Sequence, residues 1–487
     1  MIPGYRMVLL TKSKYMNGLQ CLRLMWLADR KQLPKTSLSD EHKFAQGHNF
    51  EEYVKMLFPK SVDLKDLEFK ENLTKTQEAI KQKKIIFEAG ILFEDFFIRA
   101  DILKPSKKGW DLYEIKSSTE VKDQHIPDLA FQKYVCEKAG LKINKCFVIY
   151  LNKEYIKKGK IEPDKLILTE EVTAKVDSIN DTEKKAIRFL KILNQETCPE
   201  ICISMKCNKP YECVLEDSCW GILPKYNVLQ LTNWRVYWKL LEDGIEDIKD
   251  IPKGTKLTDK DQIVVEAVTK NKTIISKEHI KHFLKSLNYP LYHFDFETFD
   301  TAVPIFDKSK PYQKIPFQYS LHIQPKKGKV EHREFLSDKG DPRPNLLKQM
   351  RKDLGKTGDI IVFNKSFEIS VMKKLAEDFP DYKKWMDSAI SRVVDLADIF
   401  RSFYYYNPSQ KGSYSIKKVL PAITGESYSK LEINNGGDAS MLYFYSHIKL
   451  ESKYNKEDIR RNLIKYCGLD TEGMVLIVEK LNGIIKK

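Results

Sequence analysis

Two α/β domains joined by a small, mostly helical module are what the chain predicts, and three observations carry that reading. At 487 residues it exceeds what one hydrophobic core usually covers. Strand-like runs alternate with helical periodicities in two separate stretches, one over residues 86–151 and one from 291 onward. Between them, Trp220 to about Pro290 is lysine-rich and helical or irregular, with "LLEDGIEDIKDIPKG" reading as a small helical module. The expected domain spans are 1–220, 221–286 and 287–487.

From residue 11 to about 60 the pattern is helical, and "YMNGLQCLRLMWL" repeats its apolar residues at Leu19, Leu22, Met25 and Trp26. "IIFEAGILFEDFFIRADIL" and "WDLYEIKSS" are strand-like and are separated by the basic loop "KPSKKG". Residues 125–139 read as a helix and "KCFVIYL" (145–151) as a buried strand; a charged helical region and a cysteine-dense segment (198–219) follow. In the second half, "LYHFDFET", "QYSLHIQ" and "IIVFN" read as strands. "SFEISVMKKLAEDF" and the segment from about 457 to 484 read as helices.

Lysine and arginine total 83 against 68 acidic residues, a formal net charge of +15. That balance suits a polyanionic partner, DNA foremost and RNA as well, because neutralising phosphates releases counterions. A lysine-rich surface that keeps the protein soluble accounts for the charge equally well. No apolar run approaches the roughly 18 to 20 residues that span a bilayer. "MIPGYRMVLLTKSKY" lacks a small-residue cleavage site, so the expected compartment is the cytoplasm, with no membrane partner. Nine cysteines in that compartment are expected as metal ligands or core thiols rather than disulfides.

In "IRADILKPSKKGWDLYEIKSST", Asp101 ends one strand and Glu114-Ile115-Lys116 lies on the next. Glu114 and Lys116 share a side of their strand, and a hairpin brings Asp101 beside them. Two carboxylates and a carbonyl hold a hard divalent cation, while the lysine orients a water or stabilises charge on a phosphate. This is the chemistry of phosphodiester hydrolysis, although the spacing alone is a weak signal in a chain with 31% charged residues. The stretch resembles the PD-(D/E)XK nucleases of the RecB type, especially the CRISPR-associated exonucleases and their stand-alone relatives. The resemblance covers about residues 11–220, including "SKYMNGLQCLRLMWL", "QGHNFEEYVKMLFP" and "DLAFQKYV". It implies a restriction-endonuclease-like core, Asp101 and Glu114 as ligands of Mg²⁺ or Mn²⁺, Lys116 as the catalytic lysine and Gln132 as the motif glutamine. That family's metal-binding histidine usually lies four residues after the motif glycine. After Gly47 that position holds Glu51, so Glu51 is the expected replacement, with His48 as the alternative. The tyrosine expected one helical turn beyond Gln132 is missing, and Tyr134 reads as a core residue.

Cys207, Cys213 and Cys219 are evenly spaced in "CNKPYECVLEDSCW", with Cys198 and Cys202 just upstream and Cys21 far away. A local zinc knuckle is one reading. The RecB-like resemblance implies instead a 4Fe-4S cluster held by one early and three late cysteines, here Cys21, Cys207, Cys213 and Cys219. Such a cluster closes a long loop and is structural. Cys198 and Cys202 are then spare, while Cys136, Cys146 and Cys467 read as small buried apolar residues.

As a strand, "YHFDFETFD" puts Tyr292, Phe294 and Phe296 on one face and His293, Asp295 and Glu297 on the other. Burying two like charges about 7 Å apart is costly unless a cation or proton is shared. Glu368 falls in the first turn of the helix after "DIIVFN", and Tyr466 and Asp470 share a face of the last helix with Leu463 and Ile477. Taken singly, each acid reads as a solvated surface carboxylate. Together they resemble the DEDD exonucleases of the DnaQ-like, RNase H-fold superfamily over about 287–487. The resemblance implies that Asp295 bridges two metal ions, Glu297 and Asp470 complete the first site, and Glu368 holds the second through water. Tyr466 would orient the attacking water. Glu368 departs from the aspartate usual there, and Asp300 has no motif role. In "QKGSYSIKKVLPAI", Lys411, Lys417 and Lys418 are candidate phosphate contacts and Tyr414 a candidate base-stacking residue. A helix N-terminus capped by Ser413 or Ser415 explains the same residues.

The whole chain thus resembles RecB-like bacterial proteins with an appended RNase H-like domain. The implied function is a DNA nuclease with two metal-dependent active sites that trims ends in repair, anti-phage defence or spacer acquisition. Two alternatives remain: a nucleic-acid-binding protein with one or both sites inactive and the cluster architectural, and a regulator that uses the cluster as a sensor.

Overall fold

The apolar run from Ile86 to Ile115 folds as three antiparallel neighbours at the centre of a seven-stranded sheet. In the computed structural model, which describes residues 8–486, this sheet comprises β1 (Leu10–Thr11), β2 (Val62–Asp63), β3 (Ile86–Phe93), β4 (Phe96–Ser106), β5 (Gly109–Ile115), β6 (Ile143–Leu151) and β7 (Ile167–Glu171). Their order is β2-β3-β4-β5-β6-β7, with β1 pairing β4. β5 and β6 are parallel, so the chain must cross over between them; the helix His125–Lys138 makes that crossover. Leu129, Phe131, Val135 and Cys136 of this helix are buried. Phe131 stacks on Tyr15 of the helix Lys12–Gln20 with ring centroids 4.4 Å apart. Each such buried aromatic contributes about 1.5–3 kcal/mol of burial, which holds the N-terminal helix against the crossover.

The second sheet lies in the other half of the chain. β8 (Ile274–Ile275) pairs with β14 (Tyr405–Tyr406) as a small separate ribbon. The larger sheet contains β9 (Leu291–Phe299), β10 (Ile315–Gln324), β11 (Glu331–Leu336), β12 (Ile360–Val362) and β13 (Val393–Asp395), in the order β11-β10-β9-β12-β13. β9, β10 and β11 are antiparallel neighbours, while β12 runs parallel to β9 and β13. On one face of β9, Phe294 and Phe296 meet edge to face and pack with Tyr319, Val371 and Met372. The opposite face, with Asp295 and Glu297, meets the helix Lys456–Lys486, where Cys467 Sγ lies 3.9 Å from Asp295 Oδ2.

Two compact α/β units result, and their division differs from the expected three segments. One unit comprises Met1–Ile222 with Thr301–Tyr312, and the other Leu223–Asp300 with Gln313–Lys487. Residues 221–286, expected as a separate linker module, pack into a core that joins Val228, Leu240 and Val264 to Phe403 and Tyr406. Residues 301–312, expected in the last domain, belong with the first unit, because Ala302 and Val303 are buried against Phe50 and Val54. The Ala302 amide donates to Gln46 Oε1 at 2.8 Å, and the Tyr312 hydroxyl donates to the Ser117 carbonyl. No helix among the described residues is long and apolar enough to cross a membrane.

Candidate metal centres

Period-two alternation along β9 delivers Asp295 and Glu297 to one face while Phe294 and Phe296 anchor the other. At the end of β12 the chain turns into the helix Lys365–Asp378 through Asn364, whose left-handed φ of 112° makes the corner. The amides of Asn364 and Lys365 donate to Asp395 at 3.0 and 3.2 Å, which fixes the corner and sets Glu368 in the first turn. Glu368 is 3% exposed, and its Oε2 has no hydrogen-bond partner. The helix Lys456–Lys486 supplies Tyr466, Cys467 and Asp470, all buried. One ligand atom each of Asp295, Glu297 and Cys467 lies within 4.8 Å of the others.

The electrostatics are those of acids crowded without enough positive charge. Burial raises Asp295 well above the carboxylate range, and Asp470, Glu368 and Glu297 raise it further. Glu297 is raised by burial and Asp470, with Lys417 offsetting part of the effect. Burial lifts Glu368 to about 8, with help from Asp395 and Asp470. Asp470 is lifted by burial to about 6, restrained by a 2.6 Å hydrogen bond from the Tyr428 hydroxyl and by Lys417. Lys417 also lies 5.4 Å from the Tyr466 ring centroid. An orphaned carboxylate oxygen among four acids of this kind fits a divalent cation, which takes oxygen donors and relieves the repulsion.

The N-terminal residues also converge, in a cleft of about 640 Å³ lined by Lys12, His48, Glu51, Asp101, Glu114 and Lys116. Asp101 on β4 accepts the Ile115 amide at 2.7 Å, which brings it beside the end of β5. Lys116 Nζ lies 2.6 Å from Glu114 and 2.8 Å from Asp128. Gln132, on the crossover helix, donates to Glu114 at 2.6 Å and to Asp128 at 3.0 Å. Between the two expected ligands sits Lys12, whose ammonium is 3.1 Å from Asp101 and 2.9 Å from Glu114. Burial and the Glu114 charge lift Asp101 to about 7. Burial also raises Glu114, but Lys116 and Lys12 outweigh it and hold that carboxyl below its usual range. Asp101 and Glu114 therefore suit a divalent cation only once Lys12 withdraws. Glu51 is buried and bound by Lys65 at 2.9 Å and Lys55 at 3.4 Å, whereas His48 is exposed. Tyr134, expected as a core residue, is partly buried at the core's edge, edge-on against Phe96 and with its hydroxyl 3.4 Å from Glu183.

The distant cysteines are neighbours. Burial raises the Cys213 thiol, and Cys21, Cys207 and Cys219 raise it further. Gln20, beside Cys21, donates to the carbonyls of Cys207 at 2.7 Å and Tyr211 at 2.9 Å, so the N-terminal helix is tied to the cysteine loop. Cys198, expected as a spare, also feels Cys21 and Cys219, so it belongs to the same neighbourhood. In the basic segment, Ser415 stands at the N-cap position of the helix Ile416–Thr424 without a side-chain capping hydrogen bond, and Lys411 adopts a left-handed φ of 51°. Tyr414 is 45% exposed and lies under the Arg401 guanidinium at 5.4 Å, while Lys418 stands on the first turn of that helix.

Lys12, Asp128, Tyr428 and Cys467 were not among the expected site residues. Cys467 is buried as expected, and its Sγ also lies among the ligand atoms of Asp295 and Glu297. It lies three residues before Asp470 on one helix face, a spacing the sequence does display. Asp128 stands one helical turn before Gln132, while Lys12 and Tyr428 are joined to their partners only by long-range folding.

Over residues 292–415 the chain matches the family profile described as "Domain of unknown function (DUF2779)". That span holds Asp295, Glu297, Glu368, Lys411 and Tyr414, and stops before Lys417, Tyr466 and Asp470. The chain is 27% identical over 256 residues to Uncharacterized protein MG366 of Mycoplasma genitalium, covering 47% of this chain and 38% of that protein. It is 28% identical over 211 residues to Uncharacterized protein UU173 of Ureaplasma parvum, covering 38% of this chain and 30% of that protein. The matched stretches thus span well under half the length of these relatives.

Proposed function

We propose that the chain is a metal-dependent phosphodiester hydrolase acting on DNA ends, with the acids of the second unit as its 3′ to 5′ exonuclease centre. The observation that carries this reading is the crowding of half-buried Asp295 with buried Glu297, Glu368 and Asp470, with Glu368 Oε2 unpartnered. Mg²⁺ or Mn²⁺ bound there would polarise the phosphate and supply a nucleophilic water. Asp295, Glu297 and Asp470 would hold the ion, with the unpartnered Glu368 as a further carboxylate of the group. Tyr466 orients water, and Lys417 offsets charge beside Glu297 and Asp470. Lys411, Lys418 and Tyr414 serve the nucleic-acid strand, by phosphate contact and base stacking.

In the same reading the first unit is a second nuclease centre, with Asp101 and Glu114 as ligands, Lys116 as catalytic lysine, Gln132 positioning Glu114, and Glu51 at the cleft. A 4Fe-4S cluster on Cys21, Cys207, Cys213 and Cys219 would tie the two ends of that unit together, with zinc on the same thiols as the alternative. One observation favours a second reading for this unit, in which it binds nucleic acid without cleaving it. The Lys12 ammonium lies between Asp101 and Glu114, where a metal ion would sit.

The test is a nuclease assay on 5′- and 3′-labelled single and double strands with Mg²⁺ or Mn²⁺. Wild type is compared with Lys116→Ala, Asp295→Ala and the double variant. Each single change is expected to remove a separable activity. Degradation by the double variant at the wild-type rate would refute the proposal, and loss only with Asp295→Ala would select the binding reading for the first unit.

A further inference from the structure

The acids of the second unit share their site with a sulfur. Cys467 is fully buried, and its Sγ lies 3.9 Å from both the main-chain oxygen and Oδ2 of Asp295. It belongs to the trio whose ligand atoms all lie within 4.8 Å of one another. An apolar filler would pack as well with no donor aimed at a carboxylate. A second observation lies beside it: Glu368, 3% exposed and close enough to raise the Asp295 carboxyl, keeps an oxygen with no partner.

We propose that the cation position bounded by Asp295, Glu297 and Cys467 takes a borderline transition-metal ion, such as Zn²⁺, Fe²⁺ or Co²⁺, with the Cys467 thiolate as a ligand. The inference rests on the metal-site reading above and adds which ion the site prefers. Carboxylates alone suit Mg²⁺ and Mn²⁺, whereas a thiolate shifts preference towards softer ions. When the ion binds, the Cys467 Sγ–H proton passes to solvent, the metal–sulfur bond forms, and no redox change is required. Mg²⁺ gains little from sulfur and keeps its waters.

Co²⁺ titration of the full chain tests this, with sulfur-to-cobalt charge-transfer absorption and calorimetry as readouts. Other cysteines also bind Co²⁺, so the informative signal is the wild-type spectrum minus that of Cys467→Ser. The expected result is a charge-transfer component that Cys467→Ser removes and Asp295→Asn also removes. Cys467→Ser should weaken Co²⁺ at this site by at least about tenfold, the lower end of what loss of an outer-shell partner costs, while Mg²⁺ affinity changes far less. If calorimetry shows an Asp295-dependent Co²⁺ site whose spectrum and affinity ignore Cys467→Ser, the sulfur ligand is refuted and the metal site stands. If no Co²⁺ or Mg²⁺ binding depends on Asp295, the metal-site reading fails together with this one.

Discussion

Replacing Glu368 by glutamine tests the electrostatic account of the second unit without any assay of activity. In the fold, burial lifts this carboxyl from 4.5 to about 8. At about 1.36 kcal/mol for each tenfold change in acidity, the difference between these values amounts to about 5 kcal/mol against the ionised form. Between these two values the folded chain holds a proton that the unfolded chain has released. Stability therefore falls as pH rises through that window and is fully reduced above it. Asp470, lifted from 3.8 to about 6, acts in the same direction at lower pH. Glutamine stays neutral but leaves a buried amide unsatisfied, which costs about 1–3 kcal/mol. Without divalent ions at about pH 8, Glu368→Gln should thus be more stable than wild type by about 2–4 kcal/mol. Near pH 5 the advantage should vanish or reverse. The measurement is hydrogen exchange of peptides from the helix Lys456–Lys486 in EDTA, corrected for intrinsic rates, which reads local opening free energy. Wild-type protection that stays level from about pH 5 to 8, or a variant no better protected at pH 8, would refute the reasoning.

Lys12→Ala removes the ammonium between Asp101 and Glu114. It should cost about 3 kcal/mol in metal-free protein, the low end for a broken buried pair because Lys12 is 26% exposed, and should raise Mn²⁺ affinity at that cleft. Urea unfolding and calorimetry read the two effects, and weaker Mn²⁺ binding would show that Lys12 does not compete with the ion. Tyr428→Phe deletes the 2.6 Å hydrogen bond to Asp470. Without it Asp470 should titrate above about 6, and Mn²⁺ affinity near neutrality should fall by about tenfold. Unchanged affinity would mean that Asp470 is not a ligand. Cys21→Ser should bleach the brown colour expected of an anaerobically purified 4Fe-4S protein. Colourless wild-type protein with one zinc per chain would establish the zinc alternative.

Both α/β units were legible because their strands and helices carry strong periodicities. The pairs Phe294–Phe296 and Asp295–Glu297 separate onto two faces by strand geometry alone. Asp101, Glu114 and Lys116 could be grouped because a hairpin joins them over a short stretch of chain, whereas Gln132 entered only through the family resemblance. Residues 301–312 could not be assigned correctly from sequence. They lie within the second half of the chain, and it is the burial of Ala302 and Val303 against Phe50 and Val54 that places them in the first unit.

By itself the sequence determined the alternation of strands and helices, the acids on β9 and the last helix, and the proximity of residues joined by short connections. These follow from local geometry, in which a period of two or of 3.6 decides which side chains share a face. Only the tertiary structure decided that Lys12 lies between Asp101 and Glu114, that Tyr428 holds Asp470, and that Cys467 joins Asp295 and Glu297. Each of these depends on elements brought together by burial, and a one-dimensional pattern does not encode which distant groups burial will force to share charge.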